Sequence, residues 1–254
     1  MLAARVATAA VLIAALLGAL FLLPPAWLKA LITALVALAA FEWGRLCRVD
    51  AMLYAALTGV IFALSAWSGA AQPWLAAAAV FWLLVAPLWL WRGVQPAQAR
   101  LLALAGVAVL VPAGLAMVEL SPGRVLAVLG LTWVADSAAY FAGTRYGRHR
   151  MAPSISPGKT WEGAAGGVAG ALAYAIICAS LFKGIAWVPF LAAAALLAVL
   201  SIVGDLFESA AKRQAGVKDS GALLPGHGGI LDRIDSATST LPLAAAVAPW
   251  IVGR

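Results

Sequence analysis

The sequence predicts an all-α, polytopic integral membrane protein, and three observations carry that prediction. Of its 254 residues, 65% are hydrophobic and only 11% charged, with a mean hydropathy of +1.00. A water-soluble domain would carry roughly 25% charged residues, so a soluble fold is excluded. The apolar residues fall into about nine runs close to the roughly 20 residues that a membrane helix needs. Most of the eleven tryptophans stand near the ends of those runs, where the membrane–water interface holds amphipathic rings.

The runs follow in order. The first, 6–23, is long enough to span, and no convincing small-x-small cleavage site follows it, so it reads as a helix rather than a signal peptide. The second, 26–44, is framed by Trp27 and Trp43, and the third, 51–67, ends on Trp67. The fourth, 73–91, starts beside Trp74 and closes with Trp89 and Trp91. The fifth, 100–119, begins at Arg100, and the sixth, 124–145, runs between Arg124 and Arg145 with Asp136 inside it. The seventh, 161–182, opens with Trp161 and Glu162. The eighth, 185–208, has Trp187 at one end and Asp205 and Glu208 at the other, and the ninth, 237–253, holds Trp250. Most linkers are very short. Two are longer and polar, about 146–160 and 209–236. No internal repeat is visible, and the chain reads as a single helical domain, 1–254.

Charge sets the direction. With nine spans and the N-terminus cytoplasmic, 13 of the 17 Lys and Arg fall on the cytoplasmic side, leaving Lys29, Arg124, Lys183 and Arg254 outside. That asymmetry is the positive-inside signature. It places the C-terminus outside and both long polar linkers in the cytoplasm. Cys47 and Cys178 stand far apart, in no metal-like spacing, and are assigned neither a disulfide nor a metal.

The acidic residues follow those linkers. On a helix, Asp205, Glu208, Ser209 and Lys212 share one face at i, i+3, i+4 and i+7, and Asp232, Asp235 and Ser236 repeat the pattern. Carboxylates gathered this way repel unless a cation lies between them. Hard oxygen ligands suit Mg²⁺, which usually shares its shell with substrate phosphates. For any single pair, such as Glu208 with Lys212 or Asp232 with Arg233 or Lys218, an internal salt bridge is the better reading. For the whole set, flanked by Lys159, Lys212, Arg213, Lys218 and Arg233, a metal–phosphate site is the better one. Gly226, Gly228 and Gly229 would let backbone N–H groups approach an anion. His227 could contact a phosphate or move a proton, and equally could be a structural hydrogen-bonder. Ser156, Lys159 and Thr160 sit just before a helix whose N-terminus attracts anions, although the P-loop spacing is absent. These are the parts that phosphoryl or nucleotidyl transfer needs.

The stretch SAAKRQAGVKDSGALLPGHGGILDRIDS, 209–236, resembles the signature of the phosphatidate cytidylyltransferase (CDP-diacylglycerol synthase) family. Ser209, Lys212, Arg213, Lys218, Asp219, Gly221, Leu224, Pro225, His227, Gly228, Gly229, Ile230, Asp232, Arg233, Ile234 and Asp235 all stand in register with it. SPGKTWEG, 156–163, is similar to a second family stretch, and ADSAAYFAGTRYGRHR also looks family-like. Ala211 replaces a larger apolar residue, and Gly158 replaces the first of two paired lysines, leaving Lys159 as the expected phosphate contact.

The resemblance implies attack of a phosphatidate oxygen on the α-phosphorus of CTP, giving CDP-diacylglycerol and pyrophosphate. It implies Mg²⁺ dependence, with Asp205, Asp232 and Asp235 near the metal. The expected catalytic set is Asp205, Lys212, Asp232 and Asp235, in a catalytic half at about 124–254. Ser156, Lys159, Thr160, Arg213, Lys218, His227, Gly228, Gly229, Arg233 and Ser236 are expected to bind substrate. The expected setting is a bacterial inner (cytoplasmic) membrane, with the site facing the cytoplasm, CTP and phosphatidate as partners, and no nucleic acid. The family also suggests a homodimer, which no residue pattern here establishes.

Other classes fit less well. A transporter would place its carboxylates at the midplane and often shows a repeat. A CDP-alcohol phosphotransferase would carry a D-x₂-D-G-x₂-A-R pattern that is missing here. A CDP-ether-lipid synthase or a polyprenol-type kinase would have a similar site, differing in the lipid acceptor.

Overall fold

The structure is a computed structural model and describes residues 2–181, 185–221 and 228–251. Its helices are α1 (Leu2–Leu22), α2 (Pro25–Leu46), α3 (Ala51–Ser68), α4 (Ala71–Val80), α5 (Ala86–Arg92), α6 (Ala99–Glu119), α7 (Pro122–Tyr146), α8 (Trp161–Leu181), α9 (Trp187–Ala215) and α10 (Leu231–Ile251). A π-helical turn, Phe81–Val85, joins α4 to α5 in one continuous passage, Ala71–Arg92. The helical passages therefore fall on the nine apolar runs. Among the described residues, seven are long and apolar enough to cross a membrane, and α1 adds a shorter apolar piece, Ala10–Leu22.

Large side chains such as Leu22 and Trp91 are each 81% exposed, as expected of a surface solvated by lipid rather than water. Inside, α7 lies along α8, α2 along α3 and α9 along α10. The α7–α8 contact is close because glycine faces alanine. A Cβ at Gly170 would meet the Ala138 Cβ at 2.5 Å, which is the small-residue packing that GGVAG suggests. Phe207 of α9 is fully buried in an aromatic cage. The ring centroids of Phe81, Trp89, Trp82 and Trp43 lie 5.3, 5.6, 5.8 and 6.3 Å from it. The π-turn supplies Phe81 and Trp82 to that cage. Trp43 Nε1 also donates to the Leu102 carbonyl at 2.8 Å. The N-terminal helices thus grip α9 next to Glu208.

Three boundaries differ from the sequence reading. Helix α9 runs on to Ala215, seven residues past the expected end at 208, and α10 begins at Leu231, six residues before the expected 237. Hydropathy ends a span where charge begins. Here the charged turns pack against protein, which satisfies them without lipid contact. The 146–160 linker also contains an antiparallel hairpin, β1 (Arg150–Ala152) with β2 (Ser156–Thr160), pairing Arg150 with Thr160 and Ala152 with Ser156. Its strands are too short and polar for an alternation pattern to mark them.

Candidate active site

A cavity of about 950 Å³ opens where the hairpin meets one end of α7, α9 and α10. Asp136 of α7, Asp205 of α9, and Asp232 and Asp235 of α10 line it. Facing them are Arg150, Ser156, Lys159 and Thr160 from the hairpin and Arg233 from α10. Four carboxylates from three helices and three cationic side chains therefore share one space. Such a concentration of charge is stable only where water, counter-charges or a charged ligand compensates it.

Asp205, Asp232 and Asp235 each have a partner. Lys159 Nζ lies 2.5 Å from Asp205 Oδ2, and Ser209 Oγ donates to Asp205 Oδ1 at 3.2 Å. Lys212, only 9% exposed, bridges two acids, with its Nζ 3.0 Å from Glu208 Oε1 and 2.6 Å from Asp232 Oδ1. The expected Glu208–Lys212 pair is present, whereas the lysine on Asp232 is Lys212 rather than Lys218. The other Asp232 oxygen, Oδ2, accepts from Gly229 N at 2.8 Å, Ser220 N at 3.0 Å and Ser220 Oγ at 3.0 Å. Asp235 Oδ1 accepts from Ser236 N at 2.7 Å.

The hairpin is clamped by Glu162, in the first turn of α8. Its carboxylate accepts from Arg148 N at 3.1 Å and His149 N at 3.2 Å, and meets His149 Nδ1 at 2.6 Å. Thr160 Oγ1 accepts from Gly163 N at 3.1 Å, capping α8. Arg150 and Arg213 brace the tip, donating to the carbonyls of Pro157 at 2.6 Å and Ile155 at 3.1 Å. The polar linker is thereby a fixed arm that holds Lys159 against Asp205.

The remaining expected residues fall into distinct places. Gly228, at φ +80°, packs against the Asp232 carboxylate, where an added Cβ would come 2.7 Å from Oδ2. The glycine-rich stretch does present N–H groups to anions, but in this structure the anions are the protein's own carboxylates. Ser236 is buried behind Asp235, its carbonyl accepting from Ser239 and Thr240. Arg213 is exposed and committed to the hairpin, and Lys218 is exposed, outside the cavity lining. His227 and Gly226 lie outside the described residues. Among the described residues no three His, Cys, Asp or Glu form a ready-made metal cage.

The sequence reading missed Glu42. It sits in α2, is 1% exposed, and accepts from Ser220 Oγ, Ile230 N and Leu231 N at 2.9, 3.0 and 3.0 Å. A signal existed, because a lone carboxylate inside an apolar run calls for a partner, but its partners lie more than 170 residues away. The sequence reading places Asp136 inside the sixth apolar run and assigns neither it nor Arg150 to the site.

A multi-pass helical fold with an acid- and lysine-lined cavity at one end of its bundle defines a membrane-embedded enzyme that handles strongly charged substrates. The chain belongs to the cytidylyltransferase family, whose model matches residues 3–250. It is 42% identical to a phosphatidate cytidylyltransferase of Pseudomonas aeruginosa, with 100% of this chain and 98% of the relative covered. It is 35% identical to the phosphatidate cytidylyltransferase of Haemophilus influenzae, covering 95% and 96% respectively. A shorter match, 43% identical over 135 residues, covers 51% of this chain and 50% of the Thermotoga maritima phosphatidate cytidylyltransferase. The protein is accordingly a nucleotidyltransferase.

Proposed function

We infer that the charged cavity is where this chain transfers a cytidylyl group from CTP to phosphatidate, forming CDP-diacylglycerol and pyrophosphate for phospholipid synthesis. The observation that carries this reading is the convergence of Asp136, Asp205, Asp232 and Asp235 with Lys159, Arg150 and Arg233 on one space. The reaction brings together two anions. Its main cost is electrostatic, and fixed cations aimed at the charge that develops lower it. The phosphatidate phosphate is already ionised at neutral pH, so attack needs orientation more than a general base.

Lys159 and Arg150, on the braced hairpin, and Arg233, on α10, would receive phosphate oxygens in this reading. When phosphate takes over Lys159, the Asp205 carboxylate is left without its cation. Asp205, Asp232 and Asp235 are hard oxygen donors on the same wall, which suits Mg²⁺ shared with phosphates and water better than a closed protein cage. Bound there, Mg²⁺ would neutralise charge on the triphosphate. Lys212 holds Asp232 in place and stops Glu208 and Asp232 from facing each other as bare anions.

The reading also includes nine spans, with the N-terminus in the cytoplasm and the C-terminus outside. CTP then arrives from the cytoplasm while the lipid enters sideways from the inner leaflet of a bacterial cytoplasmic membrane. The 13-to-4 split of basic residues supports that orientation.

The test is purified protein in detergent with phosphatidate, labelled CTP and Mg²⁺. CDP-diacylglycerol and pyrophosphate in equal amounts are expected, with no product when Mg²⁺ is chelated. Failure to form CDP-lipid with any phosphatidate would end this reading.

A further inference from the structure

Glu42 belongs to α2, and no described residue before Trp133 lines the cavity, yet Glu42 is only 1% exposed. Burying a carboxylate costs several kcal/mol unless its oxygens are hydrogen-bonded, and here both are. Oε1 accepts from Ile230 N, and Oε2 from Leu231 N and Ser220 Oγ. Ile230 immediately precedes α10 and Leu231 opens it, so a distant side chain supplies the cap that a local Ser or Asp would usually give. The loop is shaped around it. A Cβ at Gly221 would meet Glu42 Oε1 at 2.6 Å, and one at Gly229 would collide with both carboxylate oxygens and with Ser220 Oγ.

The same loop holds Asp232. Ser220 Oγ lies 2.9 Å from Glu42 Oε2 and 3.0 Å from Asp232 Oδ2, so one hydroxyl hydrogen serves two carboxylates. Gly229 N donates to Asp232 immediately before Ile230 N and Leu231 N donate to Glu42. Three consecutive amides and one serine thus tie a buried acid of the N-terminal half to an acid of the cavity.

We propose that Glu42 is a positioning residue for cytidylyl transfer: it anchors the start of α10 and, through Ser220, sets where the Asp232 carboxylate stands. The proposal rests on the function assigned above and gives the N-terminal helices a part in it. Because Ser220 can give its hydrogen to Glu42 instead, Asp232 can turn toward a ligand without leaving the serine unpaired.

The experiment compares wild type with Glu42→Ala, Glu42→Gln, Ser220→Ala and the Glu42→Gln/Ser220→Ala double variant. Turnover is expressed per folded molecule, from size exclusion and thermal melting in detergent. Hydrogen exchange is read over residues 228–232. We expect kcat to fall about a hundredfold in Glu42→Ala and about tenfold in each milder single variant, with both KM values within about twofold of wild type. The double variant should fall no further than the worse single one, because both act through the same contact. The amides of 229–231 should exchange faster in Glu42→Ala. Wild-type kcat in Glu42→Ala, or losses that multiply in the double variant, would overturn the proposal; a misplaced fold alone would not give the non-additive pattern. If Glu42→Ala yields no folded protein, the Gln and Ser220 variants decide. If wild type makes no CDP-lipid, the function assigned above fails instead, and exchange at 229–231 still decides, with unchanged protection refuting Glu42 as the anchor.

Discussion

The four helices α7–α10 enclose two cavities of opposite character. One, of about 950 Å³, lies at the hairpin end and is lined by aspartates, lysine and arginines. The other, of about 130 Å³, lies farther along the same helices and is lined by residues such as Leu120, Val128, Leu131, Phe190, Leu197 and Ala244, with Arg124 its one charged lining residue among the described residues. In α7 the change takes five residues, from Leu131 to Asp136, and in α9 eight, from Leu197 to Asp205. These helices are therefore polarised along their axes more than around them. In a soluble bundle the polar residues form an outward stripe. In a membrane, water is available only at the ends, so charge and chemistry collect there.

Removing charge from the first cavity should be costly, and removing it from the second should not. The largest effect is expected for Asp232→Asn, which keeps the shape of the side chain but removes the anion held by Lys212, Ser220 and Gly229. Turnover of labelled CTP should fall by about a hundredfold or more, the scale of losing a fixed electrostatic group. Retained activity would move the reaction away from this wall. Lys212→Met comes next. It leaves Glu208 and Asp232 with no cation between them, a change that costs about 3–5 kcal/mol when a buried pair loses one partner. Thermal melting in detergent should record the loss together with weak turnover, and an unchanged melting temperature would show that the lysine holds nothing.

A smaller effect is expected for Lys159→Ala, which removes the hairpin's contact with Asp205 and the proposed phosphate ligand. A hydrogen bond to a charged group is worth about 1.5–3 kcal/mol, so kcat/KM for CTP should drop about ten- to a hundredfold while folding is preserved. Arg124→Ala sits at the bottom of the scale. It belongs to the apolar cavity, and turnover should stay within about twofold of wild type, surface changes away from a site being near neutral. If Arg124→Ala instead matched Lys159→Ala, the contrast between the two ends would fail.

Helix α9 and the hairpin show how unevenly the site could be read. The i, i+3, i+4, i+7 spacing of Asp205, Glu208, Ser209 and Lys212 placed these residues on one face, and the continuous helix to Ala215 carries them there. Spacing alone could not choose Lys212, 20 residues away, over Lys218 or Arg233 as the cation for Asp232. The polar stretch 146–160 was visible as a linker. That it folds back as two strands, is clamped by Glu162, and aims Lys159 at Asp205 depends on contacts that no periodicity encodes.

Composition and spacing by themselves determined the membrane, the helical passages and the set of charged residues that must answer for one another, because lipid tolerates neither an unpaired backbone nor an unpaired charge. Tertiary structure alone decided the pairings: Lys159 with Asp205, Lys212 between Glu208 and Asp232, and Glu42 at the foot of α10. The reason is range. Helical periodicity relates residues a few positions apart, whereas a buried carboxylate is satisfied by whatever donors the packed helices bring within 3 Å, wherever in the chain they lie.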